Sequence, residues 1–520
     1  MSENMRSGRD RDTSADDVGS NLTRRSLFQR VGLAAAAATL APGVEIGVAS
    51  AGPPQTSEAE SPGNSGKAIS PVMTTLSTYM SEAADHALPA EVAEKAKHHI
   101  LDTLAAMISG SDLLPGREAI KFVRTYGGEK VATVVASDVV CGPIEGALAN
   151  GQLAHADETD DSHAPSQSHP GCAVIPAALA VGEQCGIGGE HFLRAVALGY
   201  DIGPRVTMTM GAQNYEGSTH RSTHSIVTIF GAAAAGGCAA RLNPQQMRWL
   251  LDYTSQQSSG IAAWQRDTQH IEKAFAFGGM GARDGVTSAL VVQSGWTGVD
   301  DIFSGADNFF LANAPWADPA GMIDKLGERY EVTRTNIKKW SVGSPIQAAL
   351  DAIEDLRKGH PFDVDQVQKV TVRVATHEAA IVNNRDIADI CLQHIVAVML
   401  LDKTVSYRAS LDESRMKDPA VLRERAKVEV IPDEDLQKLM PLRVAIVDIT
   451  LTDGTHLNKR IDAVRGTPEN PMTREEVVTK ARDLIAPVLG AATASNLIEK
   501  VLAIEGVKDV RELRPLLQRT

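Results

Sequence analysis

The most polar stretch of the chain is residues 155–163, which read HADETDDSH and are followed closely by His169. Imidazole and carboxylate groups are the side chains that most often exchange protons with substrates in enzymes. They also bind metal ions, but this stretch, the polar segment, contains neither a His-x-x-x-His pair nor a clear facial-triad spacing. We therefore favour proton transfer over metal binding, and an ordinary charged surface loop is the alternative.

His169 carries a further argument because Pro170 follows it. Proline suits the first turn of a helix, so the imidazole is expected beside a helix N-terminus. There the helix dipole disfavours a charged imidazolium and favours anions. A neutral imidazole next to an anion site is well suited to act as a general base.

Two other groups could hold an anionic substrate. Residues 220–224 read HRSTH, in which Arg221 and His224 supply hydrogen-bond donors. Lys273 lies in the sequence IEKAFAFGG, where apolar residues and glycines favour partial burial. Buried lysines shift their pKa and serve in acid–base catalysis or anion binding. Exposed histidines and a surface lysine are the alternatives for these two groups.

The elements that must position these groups are mainly helical. Apolar residues recur at mostly three-to-four spacing in residues 90–109, 174–185 and 192–210, which predicts amphipathic helices. The runs GAAAAGG at 231–237 and GGMGA at 278–282 have almost no side-chain bulk. Because each glycine costs a helix about 1 kcal/mol relative to alanine, such runs indicate buried helices that other helices approach closely.

The pattern changes near residue 330, where alternation of apolar and polar residues begins. Residues 369–374, 427–431 and 443–451 predict strands, and Asp453-Gly454 predicts a hairpin turn. Helical stretches lie between these strands, which indicates an α+β domain. Helical periodicity returns after about residue 472.

Composition excludes several classes of protein. The formal net charge of −14 disfavours binding to nucleic acid or to an anionic membrane surface. The five cysteines form no CxxC motif, so neither a disulfide framework nor a zinc site is indicated.

The N-terminus has the features of an export signal. Arg24 and Arg25 precede a short alanine-rich apolar stretch at 31–41, and Ala49-Ser50-Ala51 offers a cleavage site. The arginine pair is typical of a twin-arginine signal, so we expect export to the periplasm through the twin-arginine translocase. The apolar stretch is too short to act as a membrane anchor.

Several short motifs follow one another in a fixed order along the chain. They are DDS at 160–162 with HPG at 169–171, IPAALA at 175–180, FGAAAA at 230–235, Lys273 with its glycines, GWTG at 295–298 and IKKW at 337–340. This ordered set resembles the MmgE/PrpD family of lyases and isomerases from about residue 75 to the C-terminus. The resemblance implies a mainly α fold, with a large all-helical domain formed by both chain ends and a smaller α+β lid domain. It also implies a homodimer, no metal ion, no organic cofactor, and a site between the domains for small di- or tricarboxylates.

Carried over position by position, the resemblance indicates which residues form the site. His169 is expected to be the acid/base group, with Lys273 as the family's active-site lysine. Asp160 and Asp161 also match family site positions, and we expect them to be catalytic. Glu158, Ser162 and Lys338 match further site positions, and we expect them to bind substrate.

The chain also departs from the family pattern. Ser222 stands where characterised members have a histidine, and no histidine follows Lys338 where they have one. His394 lies near the position of a family tyrosine. We hypothesise that His224 and His394 substitute for the lost groups. These changes argue against dehydration of 2-methylcitrate in particular.

We expect a lyase or isomerase that removes a proton α to a carboxylate, by dehydration, decarboxylation or epimerisation. His169 or Lys273 takes the proton, and Arg221, His224 and Lys338 hold substrate carboxylates. The alternatives are an exported carboxylate-binding protein without turnover and a metal-dependent hydrolase that uses the polar segment. The predicted organisation is a signal at 1–51, a linker at 52–70, a helical domain at 71–328, the α+β lid domain at 329–471 and returning C-terminal helices at 472–520.

Overall fold

The computed structural model of the protein describes residues 69–519. The predicted export signal and nearly all of the predicted linker lie outside these residues. Among the helices described, none has the length and hydropathy that crossing a membrane requires. In chain order the helices are α1 (Pro71–Glu82), α2 (Ala90–Gly110), α3 (Leu114–Tyr126), α4 (Pro143–Ala154), α5 (Gly171–Cys185), α6 (Gly189–Met210), α7 (Ala212–Thr219), α8 (Thr223–Ala239), α9 (Pro244–Gln257), α10 (Ile271–Ala274), α11 (Met280–Gln293), α12 (Phe309–Asn313), α13 (Gln347–Gly359), α14 (Thr376–Val382), α15 (Leu392–Asp402), α16 (Tyr407–Leu411), α17 (Pro419–Arg425), α18 (Glu434–Gln437), α19 (Arg474–Leu489), α20 (Ala491–Leu502) and α21 (Arg514–Leu517).

Helix α8 is the centre of the helical part, and it packs against α5, α6 and α11. Its run of alanines and glycines is buried throughout, as predicted. The close approach requires glycine at Gly231, because a Cβ there would lie 2.9 Å from the carbonyl oxygen of Gly199 on α6. The backbone freedom lost at these glycines is offset by the close packing that they allow.

The C-terminal helices return to the first part of the chain. Helix α19 begins with a capping box, in which Thr473 and Glu476 each accept a hydrogen bond from the other's backbone N–H. Its buried face packs against α2, and it carries Lys480 inward to the carbonyl oxygen of Thr159 in the polar segment.

Within residues 69–519, nearly all buried hydrophobic side chains belong to one of two separate cores. One core contains buried side chains from Met73 to Ile337 and again from Met472 to Leu517. The other contains side chains only from Trp340 to Val464. The predicted fold class is therefore confirmed: the protein is mainly α, with a smaller α+β part.

The described residues form a two-stranded ribbon in the helical part and a four-stranded sheet in the α+β part. The ribbon consists of β1 (Ala132–Thr133) and β2 (Val140–Cys141), and the sheet of β3 (Val367–Ala375), β4 (Val428–Asp433), β5 (Ala445–Leu451) and β6 (His456–Ile461). The strand order in the sheet is β4-β3-β5-β6. Strand β3 is parallel to β4 and antiparallel to β5, and β5 and β6 form the predicted hairpin through Gly454, which has a φ of +87°. Alternate residues of β3 and β5 are buried, as a sheet with one covered face requires.

Candidate active site

The polar segment connects α4 to α5 and lies in the interior of the protein. The side chains of His155, Asp160 and Asp161 are fully buried, so the alternative of a charged surface loop is wrong. Neighbouring elements hold the segment by its backbone: Lys338 donates to the carbonyl oxygen of Glu158 at 2.8 Å, and Lys480 donates to the next carbonyl at 2.9 Å. These two hydrogen bonds fix the backbone of the polar segment, and with it the position of its side chains.

Asp160 lies between two imidazole rings. Its Oδ2 atom is 2.9 Å from Nδ1 of His155, and its Oδ1 atom is 3.1 Å from Nδ1 of His169. Burial alone would raise the pKa of the Asp160 carboxyl, but the two imidazoles hold it well below its usual value. An ionised carboxylate can only accept hydrogen bonds, so both histidines donate from Nδ1. In a neutral imidazole held this way, Nε2 is the nitrogen that can accept a proton.

Burial has the opposite effect on His155. It lowers the pKa of this imidazole to about 4, although the carboxylate of Asp160 favours the charged form. His155 is therefore neutral over the physiological pH range. The pair of Asp160 and His155 is best described as an ionised carboxylate that orients a neutral imidazole.

Glu158 is buried between two lysine side chains. Nζ of Lys273 contacts Oε1 of the carboxylate, and Nζ of Lys338 lies 3.5 Å from Oε2. Burial would raise the pKa of Glu158, but the two ammonium groups hold it well below its usual value. The same Lys338 ammonium lies 3.8 Å from Oδ1 of Asp160, so the two carboxylates and two lysines form one charge cluster.

Aromatic rings close one side of this cluster. Phe277 stacks on His224 at a centroid distance of 3.8 Å and on His155 at 4.5 Å. The ring of His169 lies 5.4 Å from that of His224. Burial, with His169 close by, holds the pKa of His224 well below its usual value, so this imidazole is neutral too.

The two residues that follow Asp160, Asp161 and Ser162, make their hydrogen bonds outside the cluster. Asp161 accepts hydrogen bonds from Tyr200 and from the backbone N–H of Gly171 at 3.1 Å, and it lies 3.0 Å from Nδ1 of His99. Asp161 therefore fixes the start of α5, a role different from the catalytic one predicted. Ser162 pairs with the backbone of Asn336 and accepts a hydrogen bond of 3.4 Å from its side chain.

A cavity of about 290 Å³ lies beside Ser162, between the helical and α+β parts. Lys338 lines it as well, so this lysine separates the cavity from the charge cluster. Three arginines line it too, and each is paired with a carboxylate. The pairs are Arg334 with Glu331, Arg443 with Glu378 and Arg465 with Glu476.

Two predicted site residues are not brought to the cluster. Arg221 donates its guanidinium hydrogen bond to Asn313, and its backbone pairs with Ile261. His394 is fully buried on α15, where burial and the cations Arg425 and Arg415 lower its pKa to about 4. The hypothesis that His394 replaces a lost site group therefore finds no geometric support.

Three residues at the cluster lack a predicted role. His155 belongs to the polar segment, but its spacing from the other polar residues gave no reason to assign it a role of its own. His270 follows no helical or strand pattern, and it reaches the site through a backbone φ of +61°. Asp389 comes from the α+β part, and burial together with Glu158 and Asp157 raises its pKa to about 8.

Two sets of side chains offer atoms close enough to hold a metal ion. One consists of His155, Glu158 and His270, and the other of His155, Asp160 and Cys172. In each set the candidate ligand atoms lie within 4.8 Å of one another. Both sets include His155, and the second also includes Asp160, which is hydrogen-bonded to His169. The possible metal ligands are therefore partly the same residues that position the predicted acid/base group.

The sequence is similar to known domains and enzymes over nearly all of the described chain. Residues 74–320 match the MmgE/PrpD N-terminal domain, and residues 340–505 match the MmgE/PrpD C-terminal domain. The cis-aconitate decarboxylase-like protein oryM of Aspergillus oryzae is 24% identical over 478 residues, which cover 86% of this chain and 97% of that protein. The cis-aconitate decarboxylase of Aspergillus terreus is 24% identical over 483 residues, covering 86% and 96%. These relatives support an enzyme of the lyase type, and the two domain matches show that the chain belongs to the MmgE/PrpD family.

Proposed function

We propose that the protein is a lyase or isomerase that transfers a proton at a carbon α to a carboxylate of a small di- or tricarboxylate. The observation that carries the proposal is the placement of one ionised carboxylate, Asp160, between the Nδ1 atoms of His155 and His169. This arrangement fixes both imidazoles in the tautomer whose Nε2 atom can accept a proton.

His169 is the proton-transfer group in this proposal. Its side chain is 10% exposed, whereas that of His155 is fully buried, so His169 is the one that a substrate reaches. Its Nδ1–H bond to Asp160 stabilises the imidazolium that forms when Nε2 takes the proton. His155 shares the same carboxylate and keeps it in place.

The two lysines supply the positive charge that the reaction needs. Removing a proton α to a carboxylate leaves an electron pair that moves onto the carboxylate oxygens, and cations beside those oxygens stabilise it. Lys273 is the more exposed of the pair, with a side chain 17% exposed against 2% for Lys338. We propose that a substrate carboxylate takes the place of Glu158 at the Lys273 ammonium.

The three candidate reactions differ in how bonds break and form around this carbon. In a dehydration, the carbanion expels a β-hydroxyl group, which leaves as water after it receives a proton. In a decarboxylation, carbon dioxide leaves first and the resulting carbanion takes a proton from His169, which must start this reaction as the imidazolium. In an epimerisation, the proton returns to the other face of the same carbon. Similarity to the cis-aconitate decarboxylase of Aspergillus terreus and to the decarboxylase-like protein oryM is the reason to include cis-aconitate among the first substrates tested.

Export and dimer formation belong to the proposal as well. The arginine pair at positions 24 and 25 supports export through the twin-arginine translocase. Fractionation of cells that produce the full chain, and of cells that produce an Arg24→Lys, Arg25→Lys double variant, tests this directly. Sedimentation of the purified protein tests the homodimer.

A proton NMR screen in D₂O tests the proposed function. The protein is incubated with citrate, 2-methylcitrate, cis-aconitate, malate, tartrate and iminodisuccinate. Deuterium at a carbon α to a carboxylate, a new olefinic signal, or loss of carbon dioxide with deuterium at the carbon supports the proposal and identifies the reaction. Tight binding of one of these acids without exchange or product would contradict it and would favour a carboxylate-binding protein.

A further inference from the structure

The segment between α9 and α10 lies beside the charge cluster. This segment, the strap, consists of residues 258–270. Near its start, the backbone N–H of Ser222 donates to the carbonyl oxygen of Gly260 at 3.2 Å. Near its end, the carboxylate of Asp267 accepts a hydrogen bond of 2.9 Å from the backbone N–H of Lys273. Both ends of the strap are therefore fixed close to the candidate site.

The strap contacts the candidate site through the indole ring of Trp264. This ring meets the ring of Phe277 edge-on at a centroid distance of 4.7 Å and that of His224 at 5.4 Å. Nζ of Lys273 lies 5.7 Å from the centroid of the indole ring, a separation at which an aromatic face attracts a cation. Trp264 therefore lies next to the ammonium group at which we propose that a substrate carboxylate binds.

The indole N–H of Trp264 is buried and has no hydrogen-bond acceptor among the described residues. An indole nitrogen can only donate, so an acceptor is the one kind of partner that it can have. Leaving a buried donor unpaired costs free energy, and buried N–H groups in proteins nearly always have a partner. Beside a lysine that binds an anion, the anion itself can be that partner.

An unpaired indole N–H does not identify a binding site by itself. The indole N–H of Trp249 on α9 is also buried without a partner in the described part of the chain. Of these two rings, only that of Trp264 has a lysine ammonium over it. The combination of an unpaired donor with a neighbouring cation is what distinguishes Trp264.

We infer that Trp264 is a substrate-binding residue, whose indole N–H donates a hydrogen bond to the substrate carboxylate at Lys273. The inference rests on the proposed binding of a carboxylate at that lysine and adds a second donor to it. A carboxylate oxygen accepts hydrogen bonds at about 2.8 Å, so one carboxylate between the two groups can accept from both.

The two donors should select a carboxylate over a neutral group of the same shape. Neither the ammonium of Lys273 nor the indole N–H of Trp264 can accept a hydrogen bond, and an ionised carboxylate has only acceptors. A primary amide would direct its NH₂ group at one of the two donors. We therefore expect the site to bind acetate and to exclude acetamide.

The indole N–H signals of protein labelled with ¹⁵N-tryptophan test the inference directly. The chain has five tryptophans, and Trp264→Phe and Trp249→Phe each remove one signal, which assigns both. Titration with acetate should move the Trp264 signal downfield until it saturates, because a hydrogen bond to an anion deshields the proton. The Trp249 signal should stay fixed, and acetamide should move neither. In Lys273→Met, acetate should no longer move the Trp264 signal.

Calorimetry with the acids of the D₂O screen measures the effect on affinity. A hydrogen bond to a charged group changes an equilibrium constant by about ten- to a hundredfold, so Trp264→Phe should weaken binding of the tightest-binding acid by about that factor. The phenyl ring retains an aromatic contact with Phe277 and His224, so the N–H is the main loss. Trp249→Phe is the matched control and should bind the acid as tightly as the natural protein. Circular dichroism establishes that each variant is folded.

A Trp264 signal that neither acetate nor any acid of the screen moves would overturn the inference. So would equal weakening of binding by Trp264→Phe and Trp249→Phe. Failure of the inference can be told apart from failure of the proposed function. Exchange in the D₂O screen with a fixed Trp264 signal would refute the inference alone, whereas a shifted signal without exchange would support the inference and contradict proton transfer.

Discussion

Replacing Asp160 with asparagine should separate the orienting role of this carboxylate from the fold. Asp160 accepts hydrogen bonds from two imidazoles, one on each oxygen. The amide of Asp160→Asn has only one acceptor oxygen, so its NH₂ group must face the other ring. Either His155 or His169 must then carry its proton on Nε2, and a histidine in that tautomer cannot take a proton there.

The magnitude comes from the charge that is lost. An imidazolium and a carboxylate whose charge centres are about 4 Å apart attract each other by roughly 4 kcal/mol at an effective dielectric constant of about 20. Each 1.4 kcal/mol changes a rate by about tenfold, so kcat/KM should fall by about a thousandfold. The natural protein and the variant are compared with the substrate that the D₂O screen identifies.

Spectroscopy of the histidines tests the same reasoning without a substrate. In protein labelled with ¹⁵N-histidine, His155 and His169 should both show a protonated Nδ1, and one of them should change tautomer in Asp160→Asn. Asp161→Asn is the matched control, since Asp161 bonds to Tyr200 and to the start of α5. It should lower stability while the rate per folded molecule stays within about tenfold. A folded Asp160→Asn variant with more than about a tenth of the natural activity would refute the reasoning.

Three further predictions concern stability, and urea unfolding tests all of them. Burial and two neighbouring carboxylates raise the pKa of Asp389 to about 8, so the folded chain keeps a proton that the unfolded chain loses above about pH 4. The contribution of Asp389 to the free energy of unfolding therefore falls as the pH rises from about 4 to 8. Between pH 5 and 7, the free energy of unfolding of Asp389→Asn should rise relative to that of the natural protein by about 1.4 kcal/mol per pH unit. An equal difference between the two proteins at both pH values would contradict the assignment. Lys338→Met removes one partner of a buried charge pair and should cost about 3 kcal/mol, whereas a cost below about 1 kcal/mol would show that the pair is not buried. Gly231→Ala should cost about 1 to 3 kcal/mol because its Cβ would meet the carbonyl oxygen of Gly199, while Gly217→Ala, whose Cβ meets nothing within 4 Å, should be harmless.

The fold could be predicted from local patterns because each pattern has one physical cause. Helices α2, α5 and α6 contain the predicted amphipathic segments, and the small-residue run of α8 lies at the predicted close crossing. The hairpin between β5 and β6 results from turn chemistry at Gly454. The order of several motifs along the chain indicated the family, because no single motif is specific enough to indicate it alone.

The site was predictable only in part, because spacing along the chain does not determine where a side chain points. Asp160 and Asp161 are adjacent and chemically identical, yet one orients two imidazoles and the other fixes a helix start. His270 and Asp389 lie more than a hundred residues beyond the polar segment and join it only through tertiary packing. His394 failed as a candidate because its helix buries it inside the α+β core.

The most direct test of the central claim compares the natural protein with His169→Gln in D₂O. With the substrate from the screen, the natural protein should introduce deuterium at the carbon α to the carboxylate. His169→Gln should remain folded, retain binding of that acid within about tenfold, and lose exchange and turnover by at least a thousandfold. Exchange in the variant at a rate near that of the natural protein would contradict proton transfer by His169.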